Sequence, residues 1–143
     1  MAGFFYKSEQ ATIPLRFVFL TMHFVMALTI WFDRAFLADR LVANQDLYNG
    51  AESLLNYMGI ACIACFAIEF VSIFIGGTLF KRGQMLFSIV FHAVGFALAI
   101  AFHQGSWNID SYIAITTICI FFPAAVEVLS TASSIFFDYT RFY

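Results

Sequence analysis

Four stretches of this chain are apolar for long enough to cross a lipid bilayer, and this limits the available folds more than any motif does. They run roughly Ile13–Phe32, Leu54–Ile75, Met85–Phe102 and Tyr112–Phe137. Crossing about 30 Å of hydrocarbon at 1.5 Å per residue takes ~18 to 20 residues, and each run supplies them. The last is long enough to tilt or to project from the bilayer. Composition agrees, since 62% of the chain is hydrophobic and 11% charged, with a mean hydropathy of +0.87. Soluble domains carry about 25% charged residues. The expected fold is an all-α integral membrane protein, one domain over 1–143, in which four spans form an antiparallel bundle. A net charge of -2 with no basic stripe speaks against a nucleic-acid partner, leaving membrane lipid and other membrane proteins.

The opening MAGFFYKSEQ lacks a small-residue cleavage site, and glycine stands at position 3 rather than 2, so neither a removable signal nor a myristoyl anchor is expected. Basic residues set the expected orientation. Lys7, Arg16, Lys81, Arg82 and Arg141 fall on the side of the termini, against Arg34 and Arg40 on the other. The positive-inside rule then places both termini in the cytosol. The first loop, 33–53, mixes Phe36, Leu37, Leu41, Leu47 and Tyr48 with Asp39, Arg40 and Asp46. That pattern suits a short interfacial helix or a solvated loop ending at Asn49 and Gly50.

Ionisable residues inside spans are costly and therefore informative. Away from its ends, each span holds one His or Glu: His23, Glu69, His92 and Glu127. Counted from the cytosolic ends at 1.5 Å per residue, all four lie at roughly 9 to 15 Å, in one expected layer. A polar clasp between helices is one reading, because interhelical hydrogen bonds of about 0.6 to 2 kcal/mol fix register and partner. A metal or proton site is the sharper one. Dimetal carboxylate bundles use Glu-x-x-His, but Ser72 and Ser130 stand three residues after Glu69 and Glu127. No metal or cofactor is therefore expected.

Other signals are structural. Cys62 and Cys65 have redox spacing, but they and Cys119 sit in apolar spans and read as packing residues. Ala93, Ala97 and Ala101, with Gly95 nearby, form a small-residue stripe that permits close helix approach. Pro123 removes a ladder hydrogen bond in the fourth span, and the expected bend turns Glu127 toward the polar layer. No phosphate loop, serine triad or nucleophile elbow is present, so no enzyme activity is expected.

The order of landmarks from FAIE (66–69) to PAAVE (123–127) resembles the transmembrane protein 107 family. Glu69, Gly76, Phe80, Gln84, Ser88, His92, Trp107, Tyr112, Pro123 and Glu127 keep its register, and RFVFLTMHFVMALTIWFDR (16–34) looks like its opening helix. The loop from Ala35 to Leu54 departs from the family in length and content. The resemblance implies a non-enzymatic tetraspan of the ciliary transition zone, associated with the Meckel–Joubert module and supporting ciliogenesis by limiting entry of membrane proteins. His23, Glu69, His92, Pro123 and Glu127 carry over as structural positions. The alternatives are an accessory subunit of another organellar complex, such as a respiratory one, and a small metal- or proton-handling membrane protein.

Overall fold

A computed structural model describes residues 2–42, 45–75, 82–105 and 107–141. Its helices are α1 (Ala2–Phe32), α2 (Arg34–Leu41), α3 (Gln45–Ile75), α4 (Arg82–Gln104), α5 (Ile109–Thr116) and α6 (Phe122–Arg141). A π-helical turn, Thr117–Phe121, joins α5 to α6. Four apolar spans result: Thr12–Phe32, Leu47–Ile75, Gly83–Gln104 and Ile109–Ser134. Gly76 and Gly77, expected to end the second span, lie outside the described residues.

Of the two expected readings of the first loop, the short helix is the one that forms, and the helix after it starts earlier than expected. α2 is helical, with Leu37 and Ala38 buried. The second long helix begins at Gln45, so Asn49 and Gly50 lie inside it rather than closing a loop. Burial of Ala51 and Leu55 against Leu37, Ala38 and Tyr112 explains the extra turns. Tertiary packing outweighs the cost of about 1 kcal/mol for a helical glycine.

Each span shows a buried stripe at helical spacing. On α1 it is Arg16, Leu20, His23, Ala27 and Ile30. On α4 it is Met85, Ser88, His92, Ala99 and Phe102. Outward positions such as Val18, Val25, Val71, Phe74 and Val90 are exposed large apolar residues, as hydrocarbon requires.

The helices form a square in which α1 packs against α3 and α4, and the fourth span (α5, π-turn, α6) packs against the same two. The diagonals, α1 with the fourth span and α3 with α4, are not close-packed pairs. Consecutive spans run antiparallel. Trp31 near the end of α1 donates to Asn56 near the start of α3. Two edges of the square are parallel pairs: Asp33 at the end of α1 meets His103 at the end of α4, and Ser72 of α3 meets Thr131 of α6.

Pro123 is accommodated by a change in the helical ladder just before it. It has no N–H to give the Cys119 carbonyl, and its ring crowds that turn. The chain responds with the wider turn just before it, in which the Phe122 N–H donates to the Thr117 carbonyl five residues back. Cys119, Ile120, Ala124 and Glu127 all face inward across this junction.

The small-residue stripe also resolves differently. Ala97 is exposed, and Ala93 and Ala101 are half-buried beside it. The close-packed face of α4 is His92, Gly95 and Ala99 instead. A Cβ on Gly95 would lie 2.3 Å from His23 Cε1 and 2.7 Å from Cys119 Cβ. Only glycine lets α1 and the fourth span approach α4 this closely.

Candidate functional site

Arg16, His23, Glu69, His92 and Glu127 all turn inward, at 2% exposure or less. They form two clusters rather than the single expected layer. Arg16 stands seven residues before His23, so the Arg16 cluster lies roughly 10 Å nearer the termini along α1.

The terminal-side cluster surrounds Glu127. Arg16 Nη2 lies 2.9 Å from Glu127 Oε2. Ser72 donates to Oε1 and the Gln84 amide to Oε2. Arg16 Nε donates to Ser88 Oγ at 3.2 Å, and Ser72 and Thr131 share a hydrogen bond of 3.0 Å. One carboxylate thus engages α1, α3 and α4 from α6. A guanidinium inside the bilayer is tolerated only with such a partner.

The deeper cluster is a chain of three side chains. His23 Nδ1 and His92 Nδ1 are 3.2 Å apart, and His92 Nε2 lies 2.8 Å from Glu69 Oε2. Phe66 packs on both rings, edge-on to His23 with centroids 5.3 Å apart and tilted to His92 at 5.8 Å. Glu69 Oε1 is buried with no hydrogen-bond partner among the described residues.

Two polar contacts bridge the two diagonals of the square. Arg16 to Glu127 spans α1 to α6, and His92 to Glu69 spans α4 to α3. Where the backbones are too distant to interlock, long polar side chains make the connection.

Arg16 was counted in the sequence as a residue of the cytosolic rim, yet it is 1% exposed inside the bundle. Its phase was the available signal: seven residues before His23 is the same helix face. Ser72 and Ser88 share a face with Glu69 and His92 by the same rule. A third cluster at the far end joins His103 Nε2 to Asp33 Oδ2 at 2.9 Å and sets Arg34 over the Trp31 ring. Cys62 is buried in the apolar core with Leu20, Ala27, Phe66 and Ile120, while Cys65 packs against that core and is half-buried. Among the described residues, no three His, Cys, Asp or Glu side chains converge to hold a metal.

A family model described as "TMEM107: Transmembrane protein" matches residues 12–131 of this chain, from the start of the first span to near the end of the fourth. The chain belongs to the TMEM107 family. It is 28% identical over 122 residues to transmembrane protein 107 of Danio rerio, covering 83% of this chain and 90% of the relative. Against the protein of that name from Xenopus laevis it is 26% identical over 125 residues, covering 84% and 88%. No solved structure matches. In this TMEM107 family member, Gln84 and Ser88, two positions on which the resemblance rests, are partners of Glu127 and Arg16.

Proposed function

We propose that this protein is a non-enzymatic scaffold subunit of a larger membrane assembly at the ciliary transition zone, where it helps limit the membrane proteins that enter the cilium and supports ciliogenesis. The observation that carries this reading is how the polar side chains of the spans are used. Arg16, Glu127, His92 and Glu69 pair with one another across the bundle and fix its geometry, while apolar residues cover the outward faces. The hydrogen bonds and aromatic contacts of His23 and His92 run to each other, to Glu69 and to Phe66, all within the bundle.

Most of the described chain lies within the spans, so specific partners meet helix faces and short loops. Those partners are other transmembrane and membrane-associated proteins, by family resemblance the Meckel–Joubert module. Both termini face the cytosol on the distribution of Lys and Arg.

Localisation tests the reading. The tagged protein in a ciliated cell is expected to concentrate in a ring at the ciliary base. Uniform distribution along a mitochondrial membrane would instead support the organellar accessory subunit, and spread over the plasma membrane would refute the ciliary assignment. Elemental analysis of purified protein separates the metal-handling alternative: stoichiometric metal that is lost in His92→Ala would overturn the scaffold reading.

A further inference from the structure

The buried charges of the bundle do not balance as they stand. Arg16 offsets Glu127, with a separation of 2.9 Å. Among the described residues, Glu69 meets no such cation. Its partner is a single imidazole nitrogen, and its second oxygen, Oε1, is buried without a hydrogen bond. An ionised carboxylate beside a neutral imidazole would leave a full negative charge in the bilayer, held by one donor. Such an arrangement is strongly unfavourable in a medium of low dielectric.

We propose that His23, His92 and Glu69 form a binding site for one proton, held in common along the His92–Glu69 hydrogen bond. With that proton the triad is neutral in total, either as a carboxylic acid donating to His92 Nε2 or as an imidazolium donating to the carboxylate. Among the described residues, the surrounding groups leave the site no other counter-charge. From α1 come Arg16, already committed to Glu127, and His23 itself. From α3 come Cys62 and Cys65, and from the fourth span Tyr112, Cys119 and Glu127. None of the thiols or the phenol supplies a cation.

Hydrogen-bond geometry gives the site a direction. In both protonated forms His92 carries hydrogen on Nδ1 and donates it to His23 Nδ1, so the hydrogen of His23 sits on Nε2. When the proton leaves, Glu69 is an acceptor alone, His92 keeps hydrogen on Nε2, and its Nδ1 becomes an acceptor. His23 must then donate from Nδ1. One proton on the Glu69 side therefore sets the tautomer of a ring on another helix. The close approach of α1 to α4 over Gly95 holds the two rings within hydrogen-bond reach.

The test is magic-angle-spinning NMR on full-chain His103→Gln protein in phosphatidylcholine bilayers at neutral pH. Ring-15N histidine and carboxyl-13C glutamate labels report every relevant protonation state, and the substitution removes the half-exposed ring beside Asp33. The expected spectrum shows one bound proton, as a protonated carboxyl with two neutral rings or as one imidazolium with carboxylates. Two neutral rings with ionised carboxylates throughout would overturn the proposal. A second arm uses Glu69→Gln, which is expected to abolish the protonated-carboxyl or imidazolium signal. Persistence of that signal would place the proton elsewhere and also overturn it; the first arm stands without the variant.

Discussion

Arg16 and Glu127, 111 residues apart in sequence, meet at 2.9 Å with both side chains almost wholly enclosed. The contact joins the first span to the last across a diagonal of the square. Its two halves fail differently. Glu127→Leu leaves a guanidinium that cannot shed its proton inside the bundle. Arg16→Met leaves a carboxyl that can bind a proton and still accept from Ser72 and Gln84. Glu127→Leu is therefore expected to cost about 3 to 5 kcal/mol and Arg16→Met less. The Arg16→Met/Glu127→Leu double variant recovers much of the loss. Thermal unfolding in detergent reads all three; equal stability for Glu127→Leu and the native protein would show that the pair holds nothing.

Gly95 supplies a steric prediction. Its missing Cβ is replaced in space by the His23 ring and the Cys119 side chain. Gly95→Ala is expected to destabilise by about 1 to 3 kcal/mol, the usual cost of overpacking. Gly59→Ala should behave alike, since its Cβ would fall within the Trp31 side chain. Gly83→Ala meets nothing within 4 Å and should be close to neutral. Parallel melts of the three variants check the ranking, and a destabilised Gly83→Ala with a native-like Gly95→Ala would contradict it.

Hydropathy made the four spans legible but said little about which face of each turns inward. In a bilayer both the lipid face and the buried face are apolar, so the alternation that marks a soluble helix is weak. The polar residues carry that information through their phase. Arg16 and His23, at a spacing of seven, define the inner face of α1, and Glu69 and Ser72 define that of α3. Charge counting alone put Arg16 at the rim, because it ignores phase. The alanine spacing of 93, 97 and 101 was equally visible but did not name the face that packs within the bundle, for a stripe of small residues does not reveal what packs on it. The helical start at Gln45 was hidden by Asn49 and Gly50, whose local preference for turns is overridden by burial of Ala51 and Leu55. The π-turn needed coordinates, since proline announces a broken ladder without saying how the chain repairs it.

Orientation is open to direct measurement. Cytosolic termini place Gly83, at the start of α4, on the cytosolic side and Asp110, at the start of α5, on the other. Both positions are exposed. Single cysteines there, with Cys62, Cys65 and Cys119 replaced, are expected to label from opposite faces, Asp110→Cys from outside the cytosol. Labelling of Gly83→Cys by an impermeant reagent on the extracytosolic face would show that the bundle is inverted.

The last prediction separates packing within the bundle from assembly with partners. Ala97 points away from the square, where a neighbouring helix could approach α4 as closely as its small side chain allows. Ala97→Leu adds bulk on that outer face, so it should leave the fold and its melting temperature close to native. Retention of the tagged protein at the ciliary base, measured by recovery after photobleaching at matched expression, is expected to weaken. The reason is steric: a larger side chain holds a partner helix off and removes dispersion contacts that lipid replaces poorly. Gly95→Ala gives the opposite pattern, lowering stability through an inward clash before it affects any partner. Native retention of a well-folded Ala97→Leu protein would remove this face of α4 from the partner surface. A strong fall in its stability would show that Ala97 is packed against the bundle after all.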